Sequence, residues 1–511
     1  MSEILFGQSY YLRFDPKLWQ AMQPYPPLGT LYAASYLQSQ GYGVALFDAM
    51  LAESEVEWNQ ALETHQPAYA VLYEDNFNYL SKMCLLRMRE AALNMIRAAR
   101  QRGCTVILCG ADATDHAEDY LMHGADYVLL GEGELTLGEL LAKLTGRSDM
   151  PIVNILGLAY PTDHGVRRNP RRPDIRDLDR LPFPARDLVD MERYRSIWEG
   201  RHGYFSTNLV TTRGCPFHCN WCAKPIWGQR YNTRSPENVA AEMSLVKEKY
   251  HPDHIWFADD IFGLKPGWLA RFAGQVRQAD AVIPFKCLSR VDLLLRPNEV
   301  DFLAHAGAQS VWVGAESGSQ PVLDAMDKGT RVEQIGAARQ RLKRAGIKAG
   351  FFLQFGYPGE TRADIEKTIQ MVRDAAPDDI GISVSYAMPG TKFYDTVRGQ
   401  LGEKQNWQDS GDLAMLFQGT FSTAFYRKLH SVVHKEFRAR KAWLALNGSS
   451  GEAAGWRARG KLLLRWVYNL LTLPVARIQL NLLGSQSNRD ASFLPHLAPE
   501  AAARPTPQDE K

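Results

Sequence analysis

The first 150 residues alternate between short apolar runs and longer stretches with helical spacing. Five runs have the length of buried strands, namely EILFGQ near the start, 44–49, 68–75, 105–112 and 126–134. Between them, the stretch 82–102 is predicted as one long amphipathic helix that ends at Gly103. This alternation predicts an α/β fold with a doubly wound parallel sheet of the Rossmann-like kind. Ligands of such sheets sit at the carboxyl ends of the strands.

A second alternating series begins near residue 205. Its strand-like runs lie at 205–212, 254–262, 283–292, 310–318, 349–360 and 379–391, with helical patterns between them. Six such repeats predict a partial (β/α)6 barrel, with chemistry expected at the carboxyl ends of its strands.

The pattern divides the chain into five parts. We expect a Rossmann-like domain, a solvated linker rich in Pro and Arg, the partial barrel, a helical C-terminal region and a disordered tail, at 1–150, 151–200, 201–400, 401–484 and 485–511. Within the helical region, 456–483 is basic, aromatic and apolar, yet too interrupted to span a bilayer. It has two interpretations, a helix lying on a membrane surface or a cap on the barrel.

The overall composition indicates the class of protein and its expected compartment. Hydrophobic residues make up 45% and charged residues 23% of the 511 positions, as in ordinary globular proteins. A net charge of +2 is too small to give an overall positive field that would attract nucleic acid. The N-terminus has no secretory pattern, and seven cysteines, three of them crowded together, do not form a disulfide framework. A cytoplasmic location is expected.

Three cysteines lie within eight residues, just after the first barrel strand. Cys215, Cys219 and Cys222 have the spacing C-x3-C-x2-C. Thiolates are soft ligands that select iron–sulfur clusters, zinc or copper(I). A closed zinc site needs a fourth ligand, and His218 would have to fold back beside Cys219 to supply it. A four-iron cluster on three cysteines would keep one iron open for a reaction, while zinc and a chance grouping stay as alternatives.

The cysteine spacing, with the aromatic Trp221 before the last cysteine, resembles the radical S-adenosylmethionine (radical SAM) enzymes. The resemblance implies that the three cysteines hold a [4Fe-4S] cluster. Its open iron would be chelated by the amino and carboxylate groups of S-adenosylmethionine. One electron, from an external donor such as flavodoxin or ferredoxin, would then produce a 5′-deoxyadenosyl radical that abstracts hydrogen from an unactivated carbon.

Residues at the predicted strand ends fit the same resemblance. It implies contacts with S-adenosylmethionine from Trp221, Asp259, Asp260, Arg290, Glu316, Ser317 and Gly356. A carboxylate at a strand end also serves as a helix cap or ion-pair partner, so a purely structural interpretation of each stays open.

The first unit ends in a GEGE turn directly before this core, which resembles the cobalamin-binding class of the superfamily. The resemblance implies cobalamin contacts at Gly110, Ala111, Thr114, Gly131, Glu132, Gly133 and Glu134. No G-x-G-x-x-G opens the first helix, which argues against a dinucleotide, and the glycines could simply make turns. His116 lacks the D-x-H-x-x-G spacing, so we expect cobalamin to be bound with no histidine on cobalt.

Three other cysteines do not suit a sister group, the methylthiotransferases, which hold a second cluster in the first domain. Cys84, predicted within the helix 82–102, and Cys104 and Cys109, which flank one strand, are interpreted as core residues. Cys287, within a strand, is interpreted in the same way.

The resemblance favours a C-methyltransferase that acts on an unactivated carbon of a small-molecule or lipid-like substrate. One S-adenosylmethionine would methylate cob(I)alamin, and another would generate the substrate radical that receives the methyl group. A radical cyclase, rearrangement or oxidation enzyme needs the same cofactors and stays open. A metal-bearing binding protein without catalysis is the alternative of another class.

Overall fold

The computed structural model describes residues 3–222, 226–447 and 456–485, the last segment without the side chains of 456–458. These residues form two mainly parallel β-sheets, each with helices packed against it, and a C-terminal helical region. The tail that is predicted to be disordered, 485–511, lies outside the described residues from 486 onward.

The first sheet has seven strands in the order β2-β1-β3-β4-β5-β6-β7. They are β1 Ile4–Gly7, β2 Val44–Leu46, β3 Tyr69–Tyr73, β4 Thr105–Cys109, β5 Tyr127–Leu129, β6 Leu158–Thr162 and β7 Gly165–Arg168. The first five are parallel, which confirms the predicted doubly wound sheet. Its helices are α1 Pro16–Ala21, α2 Leu28–Ser39, α3 Glu55–His65, α4 Tyr79–Lys82, α5 Leu86–Gln101, α6 Ala111–Asp115, α7 Ala117–Met122 and α8 Glu134–Leu144.

The single helix predicted for 82–102 is wrong at its start. Cys84 has φ +56° and lies between α4 and α5, not inside a helix. The hydroxyl of Tyr386 donates to the Met83 carbonyl at 3.0 Å, and the Leu86 N–H donates to the Trp407 carbonyl at 2.9 Å. Contacts from the far end of the chain thus replace helical hydrogen bonds here, and a local pattern does not contain them.

The segment 151–200, expected to be a solvated linker, is folded. Strands β6 and β7 extend the first sheet in antiparallel fashion, and α9 spans Met191–His202. The Trp198 side chain is fully buried and donates to the Pro24 carbonyl at 2.7 Å. Several arginines of this segment pair with carboxylates of folded elements, as Arg186 does with Glu242 at 2.6 Å. Charged side chains of this segment therefore form ion pairs with other folded elements, and the segment is not a solvated linker.

The second sheet has six parallel strands in the order β15-β14-β13-β12-β11-β8, which confirms the predicted partial barrel. They are β8 Ser206–Leu209, β11 His254–Phe257, β12 Phe285–Ser289, β13 Ala308–Glu316, β14 Lys348–Phe355 and β15 Asp379–Val384. A separate two-stranded ribbon is formed by β9 Thr212–Arg213 and β10 Asn232–Thr233. The helices are α10 Pro236–Tyr250, α11 Trp268–Gln278, α12 Val291–Leu294, α13 Glu299–Ala306, α14 Gln320–Ala325, α15 Val332–Arg344, α16 Arg362–Ala375 and α17 Lys392–Val397.

The outer face of this sheet carries the main hydrophobic core. Alternate strand residues such as Phe257, Phe285 and Phe351 are fully buried in it. Two long helices, α18 Thr423–Leu446 and α19 Trp456–Ser485, pack against each other, and Leu429 and Leu480 extend the same core. In the part of the chain that the structure describes, no helix is long and apolar enough to cross a bilayer.

Candidate active site

The cysteine loop is closed at its base by the ribbon that β9 forms with β10. Gly214 directly follows β9 and has φ +86°, where a Cβ would collide with the Arg230 carbonyl oxygen. Only glycine fits this close approach of two backbones. The loop therefore leaves the carboxyl end of the first barrel strand in a fixed direction.

Cys215, Cys219 and Cys222 are all partly exposed. Burial raises the pKa of Cys215 to about 11 and that of Cys222 further still. Thiolates in such surroundings need a cation to neutralise them, and a soft metal supplies one. Among the described residues no three His, Cys, Asp or Glu side chains converge as ligands of a single ion would. In a four-iron cluster each cysteine binds a different iron.

Asn220 anchors the loop to the opposite strands of the barrel. Its N–H donates to the Met326 carbonyl at 3.0 Å, and its side-chain amide donates to the Ala325 carbonyl at 2.7 Å. The Tyr357 hydroxyl donates to its side-chain oxygen at 3.0 Å, and the Phe393 N–H donates to its backbone carbonyl at 3.0 Å. The cysteine loop is thus held from the ends of β13, β14 and β15.

Arg290 packs against the same loop from the end of β12. Its guanidinium lies 3.6 Å from the centre of the Phe217 ring and donates to the Lys328 carbonyl at 3.1 Å. The ammonium of Lys328 donates to Glu316 at 2.8 Å, and both side chains are buried. Burial opposes the charge on Lys328, yet the Glu316 carboxylate raises its pKa overall. Glu316 itself has φ +56° at a β-bulge, which turns its side chain at the strand end.

The two aspartates at the end of β11 have different surroundings. Asp259 is buried and accepts from the N–H and hydroxyl of Thr211 and from the hydroxyl of Thr212, while burial raises its pKa to about 6. It therefore fixes the chain just ahead of the cysteine loop. Asp260 is more exposed and pairs with Lys82 of the first unit at 2.7 Å.

The other residues predicted to contact S-adenosylmethionine differ in their exposure and in their hydrogen-bond partners. Trp221 is partly exposed, with its indole nitrogen unpartnered and Lys328 lying 5.9 Å from its ring. Ser317 is fully buried, and its hydroxyl lies 3.1 Å from that of Thr368 on α16. The Gly356 N–H donates to Glu360 at 2.6 Å. Trp221, Asp260 and Glu316 thus lie near the cysteines, whereas Ser317 and Asp259 hold the backbone.

The GEGE turn is joined to the cysteine loop by Arg213. This guanidinium donates to Glu132 and, at 2.7 Å, to Glu134, and all three side chains are buried. The second oxygen of Glu132 accepts from the Ile175 N–H at 2.6 Å. Burial, only partly offset by Arg213, raises the pKa of Glu132. Both carboxylates thus bind Arg213, which lies two residues before Cys215, and the second oxygen of Glu134 is buried without a partner.

The remaining residues predicted to contact cobalamin surround the ends of β4 and β5. Thr114 donates to the Gly110 carbonyl at 2.8 Å and accepts from the Gly131 N–H at 3.1 Å. Ala111 begins α6, and Gly133 packs against the Cys109 thiol. The structure thus brings this predicted set together at one sheet edge.

A small cleft lies beside that edge, at the ends of β3 and β4. Glu74 accepts from the Ser9 N–H at 3.0 Å, and burial raises the pKa of Glu74 to about 7. The buried hydroxyl of Ser81 also lines the cleft and has no partner. Asp112, bound to Arg89 at 2.5 Å, completes the polar wall.

The cysteines interpreted as core residues are buried, namely Cys84, Cys104, Cys109 and Cys287. Sequence reasoning missed Lys82, Lys328 and Arg213. Arg213 had one visible signal, because it directly precedes the glycine of the cysteine loop. Lys82 and Lys328 meet their carboxylates only through the fold.

Residues 209–372 match the Radical SAM superfamily. An uncharacterised methyltransferase of Pyrococcus horikoshii is 31% identical over 54% of this chain and 59% of its own length. The anaerobic magnesium-protoporphyrin IX monomethyl ester cyclase of Rubrivivax gelatinosus is 28% identical over 74% of this chain and 67% of its own length. The chain thus spans about three fifths to two thirds of the length of these relatives.

Two solved structures share the architecture. The cobalamin-dependent radical enzyme OxsB, with aqua-cobalamin bound, aligns with 94% of this chain and 72% of its own at a TM-score of 0.70 and 17% identity. The methyltransferase TsrM of Kitasatospora setae, with cobalamin and a [4Fe-4S] cluster bound, covers 78% of each chain at 0.63 and 19% identity. Residues 209–372 of this chain therefore form a Radical SAM superfamily domain, and the chain has the overall fold of OxsB and TsrM.

Proposed function

We propose that this chain is a cobalamin-dependent radical SAM enzyme, and most specifically a C-methyltransferase that acts on an unactivated carbon of a small molecule. One observation carries the proposal. The loop with Cys215, Cys219 and Cys222 faces the carboxyl edge of the first sheet and is joined to it by Arg213 and by the Lys82–Asp260 pair. The carboxyl edges of the two sheets, where ligands of such sheets bind, thus lie next to each other. A reaction between two bound cofactors requires such an arrangement.

The donor set fits a [4Fe-4S] cluster with one open iron. Three thiols in one anchored loop would hold three irons, and the fourth iron would stay open to the amino and carboxylate groups of S-adenosylmethionine, whose reduction there would supply radical chemistry. Trp221, Asp260 and Glu316 are the candidates that border the open position. Arg290 would support the loop through Phe217 rather than contact the cofactor.

The first sheet fits a ligand with polar groups at its carboxyl edge. The cleft there has an unpartnered buried hydroxyl at Ser81, and Gly110, Ala111, Thr114, Gly131 and Gly133 form its neighbouring turns. When bound there, cobalamin would supply a methyl carrier beside the cluster. Glu132 would act indirectly, through Arg213, whereas Glu134 keeps one buried carboxylate oxygen without a partner.

The names of two relatives point to different reactions, so a second function stays open. The first is named a methyltransferase and the second a cyclase. Product analysis separates the two. Under reducing conditions with substrate, a methyltransferase forms S-adenosylhomocysteine together with 5′-deoxyadenosine, whereas a cyclase forms 5′-deoxyadenosine alone. Absence of both products, with zinc in the purified protein, would support the binding-protein alternative.

The proposal includes two partners. An external one-electron donor of the flavodoxin or ferredoxin kind would reduce the cluster. The second partner is an anionic membrane surface, contacted by α19. Ala476 and Leu480 are buried on the side of α19 that faces the core, whereas Leu464 and Leu471 on the other side are 71% and 70% exposed. The segment 456–485 has five Arg or Lys and no Asp or Glu, a combination typical of helices that lie on a bilayer.

Vesicle sedimentation tests the membrane contact. The protein should sediment with phosphatidylglycerol vesicles and much less with phosphatidylcholine vesicles. A Leu464→Asp/Leu471→Asp variant should stay in solution with both, while a Val56→Asp variant, altered at an exposed apolar residue of α3, should bind as the wild type does. Equal binding by the two variants, or concentration-dependent dimerisation without vesicle binding, would contradict the proposal.

A further inference from the structure

The inner face of the barrel sheet is open, although parallel sheets are normally covered on both faces. Inward residues of three adjacent strands, Leu288, Trp312 and Phe352, are only partly buried, and Phe352 is 39% exposed. Their neighbours along each strand, such as Val313 and Phe351, are fully buried in the core of the outer face. An exposed aromatic surface inside the barrel indicates a place for a ligand.

The register of the strands places these inward side chains at successive levels, all below the cysteine loop. Lys286 pairs with Trp256 on one side and Ser310 on the other, and Leu288 pairs with Trp312 one level higher. Phe352 lies a further level up, and Glu316 lies above it at the rim. The inner face thus runs upward from a cation, through apolar side chains, to the cofactor end of the barrel.

Two aromatic rings form most of the apolar part of this face. The rings of Trp312 and Phe352 have centroids 4.8 Å apart and an interplanar angle of 34°. A Cβ at Gly350 would collide with the Trp312 indole. Glycine at this position therefore lets the indole lie down against the sheet, which leaves a wide shallow surface suited to a flat ligand.

Lys286 is the cation at the lower end. Its ammonium lies 5.1 Å from the Trp256 ring and 5.3 Å from the Tyr25 ring. No ion pair within the described residues includes it, and the ionisable groups that face it are the phenol of Tyr204 and the ring of His254. Burial lowers the pKa of His254 to about 4, so this histidine is neutral at physiological pH. Lys286 is therefore a single positive charge with no carboxylate to neutralise it.

We infer that the inner face binds the substrate, and that the substrate is a flat, mainly apolar molecule with one carboxylate. The carboxylate pairs with Lys286, and the apolar body lies on Leu288, Trp312 and Phe352. One lysine, without a second cation or an arginine fork, matches a singly charged group. Arg290 at the rim stands four positions after Lys286, which is ~13 Å of extended chain. The end of the molecule remote from its carboxylate is then the end that reacts, and this assignment rests on the proposed function.

Binding of 1-pyrenebutyrate tests the inference, with 1-pyrenebutanol as the uncharged probe of the same shape. All proteins carry Leu464→Asp and Leu471→Asp, so that the apolar side of α19 does not take up probe, and are reconstituted with their cluster. We expect the carboxylate to bind ~10-fold more tightly than the alcohol, as a charge-assisted hydrogen bond provides. Lys286→Met should remove this preference and Lys286→Arg should keep it.

Two further variants make the outcome decisive. Lys247→Met, at an exposed lysine paired with Asp280, should leave both affinities unchanged. Phe352→Ala should weaken both probes equally and keep the preference for the carboxylate. Equal binding of the two probes by the parent protein, or an unchanged preference in Lys286→Met, would overturn the inference. Cluster content and formation of 5′-deoxyadenosine are measured separately, so failure of the proposed function alone leaves the binding preference intact.

Discussion

Arg213 and Glu134 form a buried ion pair at 2.7 Å that joins the cysteine loop of the second sheet to the GEGE turn after β5 of the first. The same guanidinium also holds Glu132. The loop that carries the three cysteines is therefore fixed by the neighbouring domain as well as by its own barrel. This relationship explains in physical terms why the two α/β units occupy one chain.

Removal of this arginine should be costly. In an Arg213→Met variant two buried carboxylates lose their partner, and the free energy of unfolding should fall by about 3–5 kcal/mol. Denaturant unfolding of the cluster-free protein measures the change. An Arg271→Met variant, which breaks an exposed pair with Glu237, should lose less than about 1 kcal/mol. A similar small loss in both variants would show that the buried pair does not join the domains.

Glu360 predicts a pH dependence of stability. Its ordinary pKa is 4.5, and burial raises it to about 8 in the folded protein. The folded state thus holds this proton more tightly, so the stabilising contribution is complete below pH 4.5 and is lost as the pH rises through about 8. Glu360→Gln keeps an acceptor for the Gly356 N–H and should remove this loss. Unfolding free energies of the two proteins that change in parallel across this range would contradict the prediction.

The aromatic inner face predicts a contrast between two glycines. Gly350→Ala would push a Cβ into the Trp312 indole and should destabilise the protein by about 1–3 kcal/mol. Gly336→Ala, in the interior of α15 with open space around it, should stabilise the protein by up to about 1 kcal/mol. Thermal unfolding of both variants measures the difference. If Gly350→Ala were neutral, the indole would not lie against the sheet.

Binding of 1-pyrenebutyrate should weaken in alkaline solution. Burial lowers the pKa of Lys286 to about 8, and only the protonated amine attracts a carboxylate. The affinity should therefore fall as the pH rises through about 8, with the phenols of Tyr204 and Tyr25 still neutral there. Lys286→Arg keeps its charge and should show no such fall. A pH dependence shared by both proteins would assign it to another group.

Much of the fold can be predicted from the sequence, because the pattern that marks a strand or a helix lies within a few consecutive residues. The six barrel strands pair in chain order, as the alternation of apolar runs and helical patterns predicts. The start of α5 was missed because Trp407 and Tyr386, far along the chain, bind the backbone at residues 83–86.

The site was predicted less completely, for the same physical reason. The cysteine spacing is local and therefore visible in the sequence. The pairs of Lys82 with Asp260 and of Arg213 with the GEGE carboxylates join residues about 80 or more positions apart. Ser317 stands at a strand end yet points into the core towards Thr368, which shows that position at the rim does not determine the direction of a side chain.

Electron paramagnetic resonance of the reduced, anaerobically reconstituted protein tests the central claim most directly. We predict about four irons per chain and a [4Fe-4S] spectrum that changes when S-adenosylmethionine is added. A Cys215→Ala/Cys219→Ala/Cys222→Ala variant should have neither the iron nor the spectrum. A spectrum that stays the same with S-adenosylmethionine present would mean that no iron is open to it, and would contradict the account.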